Sequence, residues 1–338
     1  MIHSGTDPAA VAEAARLIRS GELIGLPTET VYGLGADASN DAAVALIFAA
    51  KGRPSNHPLI VHIAAAQQVL DYASSVPPFA ARLIAAFWPG PLTLILPRKP
   101  GVATAAAGGQ NSIGLRCPSH PVAQALLKAC RTGVAGPSAN RFGRVSPTTA
   151  AHVADEMGDP LFVLDGGPCE VGIESTIVDC TRGQPVLLRP GVLTRAQLEA
   201  ACGEAVLDNE ALTSNAPRAS GTLASHYAPN AKVRLMDRAE LLEALAALPK
   251  KAVTQQDTDA VKPSLRIAVY AYSIADINEA SVLYRAMPLQ ASQVAHELFA
   301  VLREFDAQGV DHIWVETLPT ATEWDGVRDR LMRAAVQP

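Results

Sequence analysis

Between residues 203 and 230 the chain loses the hydrophobic periodicity that runs on either side of it. The stretch GEAVLDNEALTSNAPRASGTLASHYAPN is dominated by Ala, Ser, Asn, Gly and Pro, the composition of a linker rather than of a helix or strand. A linker there divides the chain into an N-terminal unit, residues 1–202, and a C-terminal unit, residues 231–338. Because it ends in Ser225-His226-Tyr227, an aromatic and an imidazole that a pure spacer does not need, the segment over 203–230 is expected to act as a lid as well as a linker. A general limit agrees with the division: one hydrophobic core rarely extends past about 250–300 residues, and this chain has 338. With 49% hydrophobic and 18% charged residues, the chain has the apolar side chains for two cores and is not a disordered polymer.

The N-terminal unit mixes two periodicities. Residues 7–19 put Val11, Ala14, Ala15 and Ile18 on one helical face, and Gly21 stops the run. A short apolar strand follows over 23–26. Asn40 or Asp41 can cap a helix over 42–51, which Gly52 and Pro54 end. Further helices are expected over 69–72, 78–87, 121–130 and 148–157. Strands are expected over 59–63, 92–96, 112–115, 134–135, 162–165, 175–179 and 185–188. Such mixing gives an α/β class with an open sheet. In the C-terminal unit, strands over 233–235, 266–270 and 312–316 alternate with helices over 240–247, 292–308 and 327–335. That pattern suggests a smaller three-layer α/β domain.

Charge and targeting signals narrow the function. A net charge of −5 is the wrong sign for a protein that grips long nucleic acid by its phosphates, so no stable nucleic-acid binding is expected. The N-terminus has no basic start followed by an apolar segment, and no window of about 20 apolar residues occurs. A cytoplasmic protein that does not enter the membrane is expected. Its five cysteines form no C-x-x-C pair and are odd in number, which points to free thiols.

The common nucleotide and hydrolase signatures are missing: no G-x-x-x-x-G-K-[ST], no G-x-G-x-x-G after a strand, no G-x-S-x-G. Polar clusters nevertheless gather at strand and helix ends. PTETVYGLG at 27–35 crowds hydroxyls, a carboxylate and a phenol directly after a strand, where α/β proteins place ligands. Lys51 and Arg53 follow a helix. They can offset its dipole, or act as a phosphate clamp with a point charge beside a planar fork. Alternation in SIGLR sends Ser112, Gly114 and Arg116 to one face, with Arg116 ending the strand. GPSAN at 136–140 leads to Arg144 and Ser146, and Ser146 can cap the helix that follows. Glu174-Ser175 opens one strand and Arg189 closes another. Five basic residues at element ends in an acidic chain suit a polyphosphate ligand.

In order, PTETVYGLG, KGRPSNHPL, IVH, FWPGPLT, SIGLR, GPSAN, SPT, GIESTIVD and LRPG resemble the YrdC-like family over roughly residues 8–200. HYAP at 226–229, with an α/β region after it, resembles the long two-domain threonylcarbamoyl-AMP synthases. The resemblance implies a YrdC-like open, twisted mixed sheet with helices around a concave cavity, and a smaller Rossmann-like C-terminal domain. It implies ATP, L-threonine and hydrogencarbonate as substrates, with Mg²⁺ accompanying the nucleotide. The product would pass to the machinery that modifies adenosine 37 of ANN-decoding tRNAs. Position by position, it assigns Thr30, His62, Arg116, Gly136 and Ser175 to threonine. It assigns Arg53, His57, Ser112, Ser138, Ser146, Arg189 and Tyr227 to ATP, and Lys51 with Arg53 to catalysis, with no protein metal ligand. His57 stands where the family often has asparagine, and the linker lacks the basic residue some long members carry before HYAP. Two other classes are weighed beside the enzyme: an RNA-binding module, and a carbamoyltransferase of the hydrogenase-maturation type, whose zinc-finger cysteines this chain lacks.

Overall fold

The computed structural model describes residues 1–209, 216–222, 226–248, 265–274 and 282–336. The segment read as a linker therefore lies partly outside the described residues. Two sheets organise the chain. The larger has eleven strands, in the order Ile2–Ser4, Phe162–Asp165, Ile24–Leu26, Gly33–Asp37, Val134–Ala135, Ile60–His62, Ser112–Arg116, Leu92–Pro97, Thr176–Asp179, Val186–Arg189 and Leu207–Asp208. Parallel and antiparallel pairings mix along it, as in the parallel pair of Ile60–His62 with Ser112–Arg116 beside the antiparallel pair of the latter with Leu92–Pro97. The smaller sheet is parallel throughout, in the order Lys232–Met236, His312–Glu316, Ile267–Ala271, Val282–Ala286.

Local chemistry sets the element ends. Asp7 caps the helix Pro8–Arg19 by accepting the Ala9 amide at 2.9 Å. Asn40 caps Asp41–Lys51, and Gly52 ends it in the left-handed conformation (φ 61°). Ser146 is not a helix cap. Thr149 caps Ala150–Met157, because it is the residue next to the first helical turn, and Ser146 Oγ turns inward to Glu174. The Leu207–Asp208 strand, inside the segment read as linker, pairs in parallel with Val186–Arg189 at the edge of the large sheet.

Loops of the N-terminal unit pack into the core of the C-terminal unit. Val31, Val145 and Ile173 from the N-terminal unit pack in one apolar cluster with Leu298, Phe299 and Val327 from the C-terminal unit. Backbones meet there without side chains between them. A Cβ on Gly326 would lie 2.5 Å from the Gly191 carbonyl oxygen, and one on Gly172 would lie 2.3 Å from the carbonyl oxygens of Ala295 and His296. All five cysteines are buried and unpaired, as their number and spacing suggest. Among the described residues no helix is long and apolar enough to cross a membrane.

Candidate active site

The polar ends of several strands converge on one enclosed cavity. The turn after Ile24–Leu26 is tied by its own hydroxyls: Thr28 Oγ1 donates to the Val31 carbonyl at 2.6 Å and lies 2.9 Å from Thr30 Oγ1. Thr30 Oγ1 in turn accepts from Arg116 Nη1 at 2.7 Å. Strand register pairs Arg116 with His62, so the two side chains leave the same face of the sheet. The cationic tip of Arg116 faces Glu29 Oε1 at 2.7 Å, with both side chains buried. The approach is electrostatic, since neither atom has an aligned hydrogen bond. His62 needs a bare neighbour: a Cβ on Gly136 would come within 3.2 Å of its ring.

The opposite wall is built from cations. Arg189 donates from Nε and Nη2 to the Ser175 carbonyl at 3.1 and 2.8 Å, and from Nη1 to the Ser220 carbonyl at 3.0 Å. Ser175 Oγ lies 2.7 Å from Thr93 Oγ1. Arg53 donates to the Pro58 carbonyl at 2.8 Å and lies over the Phe142 ring, 5.6 Å from its centroid. Lys51 is buried, and its ammonium donates to the carbonyls of Ser138 and Asn140. Its first effect is therefore to hold the 136–140 loop in place. The residues 216–222 and 226–230 form a strap across this wall. Ser220, Gly221, His226 and Tyr227 all line the cavity.

Burial pulls the proton affinities of the site down. Lys51 falls well below its ordinary range, with Arg53 adding repulsion, and Arg53 falls to about 10. Arg189 is lowered by the same cause. His62 is pushed to about 3 by burial and by Arg116, and burial takes His226 to about 3. Both imidazoles are thus neutral at physiological pH. Burial alone would raise the Glu174 carboxyl, yet Arg330, Arg189 and the Ser146 hydroxyl outweigh it and keep it below the usual range.

The structure brings most of the expected site residues together. Thr30, His62, Arg116, Gly136 and Ser175, the set assigned to threonine, all line the cavity. So do Lys51, Arg53, Ser138, Arg189 and Tyr227. Three do not. His57 stands at the edge, packed T-shaped on Phe142 with ring centroids 5.5 Å apart. Ser112 opens onto an adjoining hollow beside Gly114, Arg218 and Ser220. Ser146 sits behind Glu174. Sequence reasoning passed over Glu29, Glu174, Asn140, Phe142 and His226 as site members, although each lies inside or beside a quoted motif. It had no signal for Arg330, which arrives from the far end of the chain. Among the described residues, nine buried side-chain polar atoms lack a hydrogen-bond partner, and six belong to residues lining this cavity: Arg53, His62, Arg116, Asn140, His226 and Tyr227. Buried polar groups are ordinarily satisfied, so orphans concentrated in one cavity mark a ligand site.

Comparison with known proteins agrees. The Sua5/YciO/YrdC family model, described as telomere recombination, matches residues 16–191. A second, described as the threonylcarbamoyl-AMP synthase C-terminal domain, matches residues 193–336. The threonylcarbamoyl-AMP synthase of Bacillus subtilis is 39% identical, covering 98% of this chain and 94% of its own. The chain belongs to the threonylcarbamoyl-AMP synthase family. The Pyrococcus abyssi synthase is 37% identical over 95% of this chain. The crystal structure of P. abyssi Sua5 complexed with L-threonine superposes with a TM-score of 0.84 at 35% identity, covering 97% of this chain and 95% of that one. A variant of the same P. abyssi protein gives 0.85 over 99% of this chain. Threonylcarbamoyl-AMP synthases of this kind carry both units, and the mixed sheet with its appended parallel sheet is that architecture.

Proposed function

We propose that the chain condenses L-threonine, hydrogencarbonate and ATP into threonylcarbamoyl-AMP and pyrophosphate. The product would serve threonylcarbamoyl modification of adenosine 37 in ANN-decoding tRNAs, in the cytoplasm where tRNA and ATP meet. The cluster of orphaned polar atoms facing cationic walls carries the reading. The relative solved with L-threonine supports the choice of amino acid. Arg116 and Thr30 take the threonine carboxylate and hydroxyl end, with His62, Gly136 and Ser175 closing that half. Arg53, Ser138, Arg189 and Tyr227 take the nucleotide; His57 supports it from the edge, Ser112 from the adjoining hollow and Ser146 through Glu174. Lys51 contributes charge and fixes the loop that carries Ser138.

Chemistry then asks little acid–base work of the protein. Threonine's amine adds to hydrogencarbonate with loss of water to give a carbamate. A carbamate oxygen attacks the α-phosphorus, the bond to the β-phosphate oxygen breaks, and pyrophosphate leaves. Positioning and stabilisation of phosphate charge supply the rate. Mg²⁺ would neutralise charge on the triphosphate, and the donor set fits a metal held through phosphate and water rather than by the protein. Glu174 is committed to Ser146 and Arg330, Glu29 is committed to Arg116 and the Ser119 amide, and no metal-binding cluster occurs among the described residues.

The cavity encloses about 30 Å³ of free space, room for no more than a few water molecules. ATP enters only if the strap moves, so the strap is read as a lid that shields the mixed anhydride from water. The deciding experiment supplies ATP, Mg²⁺, hydrogencarbonate and one amino acid at a time, and measures pyrophosphate. Release with threonine alone is expected; release independent of threonine removes the assignment.

A further inference from the structure

The helix Asp325–Ala335 sends one side chain out of its own domain and into the wall of the active site. Arg330 is fully buried, at 0% exposure. Its Nε donates to Glu174 Oε2 at 2.8 Å and its Nη2 to the Glu174 carbonyl at 3.1 Å. Its Nη1 donates to the Pro190 carbonyl at 2.8 Å and to Asp329 Oδ2 at 2.9 Å. The guanidinium also lies 5.2 Å from the Tyr227 ring centroid, and Phe299 packs on the same ring at 5.5 Å. Arg330 does not line the cavity, but two of its partners, Glu174 and Tyr227, do.

Burying a guanidinium is costly unless its charge is answered, and here it is answered by Asp329 on its own helix and by Glu174 across the interface. Glu174 poses the opposite problem. Its carboxylate stands in the wall with Arg53 and Arg189, where the phosphates of the nucleotide are proposed to lie. An uncompensated anion there would repel them. Tyr227 is also under constraint: its φ is 62°, a left-handed conformation that a tyrosine rarely adopts, and its hydroxyl lacks a partner.

We propose that Arg330 is a positioning residue of the synthase: a counter-charge delivered by the C-terminal domain that makes Glu174 compatible with bound phosphates and seats the Tyr227 ring over the nucleotide. This rests on the cavity being the ATP site. It gives the C-terminal domain a part in nucleotide binding that no contact with substrate would reveal.

The test uses the full chain and two variants, Arg330→Met and Arg330→Met with Glu174→Gln. KM for ATP and for threonine are read from pyrophosphate release, and thermal midpoints are measured alongside. Arg330→Met should raise KM for ATP at least tenfold and leave KM for threonine within about twofold, because the Arg116 side is untouched. Adding Glu174→Gln removes the stranded charge and should bring KM for ATP back to within about threefold of the parent, the remaining rise reflecting the lost contact with the Tyr227 ring. If both KM values rise together with a lowered midpoint, Arg330 is only an interdomain staple. If Glu174→Gln deepens the defect, the counter-charge argument is wrong. Should the single variant fail to fold, the double variant decides: folded with near-parental KM for ATP supports the proposal, and folded with a tenfold higher value overturns it. The parent enzyme is the control. Its failure to turn over threonine would remove the functional reading, whereas a normal parent beside an unaffected Arg330→Met removes this inference alone.

Discussion

Arg116 ends its strand with a guanidinium already oriented: Nη1 on Thr30 Oγ1 at 2.7 Å, Nε on the Gly90 carbonyl at 3.3 Å, and Nη2 against Glu29 without hydrogen-bond alignment. A carboxylate ligand can supply the alignment that Glu29 does not. Lysine keeps the charge but cannot hold Thr30 and a ligand with one planar fork. Arg116→Lys should therefore weaken threonine binding by roughly 1.5–3 kcal/mol, the scale of a charged hydrogen bond. Calorimetric titration with threonine checks it, and an unchanged affinity would show that the carboxylate docks elsewhere. The importance of Arg116 was legible, because a charge ending an apolar strand must be paired or exposed. Its partner was not, because Glu29 sits in a turn whose position relative to that strand only the sheet order fixes. Lys51 shows the converse. Its position after a helix suited either a dipole partner or a phosphate clamp, and its ammonium is shared between two backbone carbonyls that neither reading foresaw. A lysine's reach into a neighbouring loop leaves no trace in local spacing.

Elements with a strong period were legible nearly to the residue: Pro78–Phe87, Pro121–Cys130 and His312–Glu316 stand where the apolar spacing put them. The strand Gly33–Asp37 was hidden, since its sequence GLGAD has the residues strands avoid. Its glycines serve close packing: a Cβ on Gly35 would meet Leu26 at 2.9 Å. Ile2–Ser4, Leu207–Asp208 and Val282–Ala286 are short or at sheet edges, where the partner strand rather than composition makes the strand. The strap is the element whose function depends most on one small residue. Gly221 has φ 73°, and a Cβ there would lie 2.3 Å from the Tyr227 hydroxyl and 2.8 Å from Arg189 Nη1. Gly183 shares the left-handed backbone (φ 80°) but faces open space. Alanine costs about 1–2 kcal/mol at either site through backbone strain. Only at Gly221 must it also displace Tyr227 or Arg189. Gly221→Ala should raise KM for ATP at least tenfold while Gly183→Ala leaves it unchanged. Equal effects from the two variants would mean that the strap does not seat Tyr227 against the nucleotide wall.

At the scale of the whole molecule, the question is whether the two domains are docked as one body or only tethered. The sequence suggested a linker that also acts as a lid, with the second domain anchoring its far end, and left the docking of the domains open. The interface is closed by backbone on backbone: Gly326, in the first turn of Asp325–Ala335, faces the Gly191 carbonyl. Two general effects oppose each other at this glycine. Helix propensity favours alanine over glycine by about 1 kcal/mol. A Cβ at 2.5 Å from the Gly191 oxygen and 2.8 Å from its carbon cannot be absorbed by a rotamer change, because both atoms are main chain. Overpacking of that kind costs about 1–3 kcal/mol. If the domains are docked, Gly326→Ala is a net destabilisation on the order of 1 kcal/mol. If they are merely tethered, the same substitution stabilises the helix and the protein with it. The two cases differ in sign, so a denaturant titration separates them. A second consequence follows from sequence spacing, since Gly326 lies four residues, about one helical turn, before Arg330. Pushing that turn away from Gly191 moves the guanidinium off Glu174 without altering it. Gly326→Ala should therefore reproduce, in weaker form, the rise in KM for ATP expected of Arg330→Met. A more stable protein with parental KM would refute the docked arrangement and with it the route by which the C-terminal domain reaches the active site.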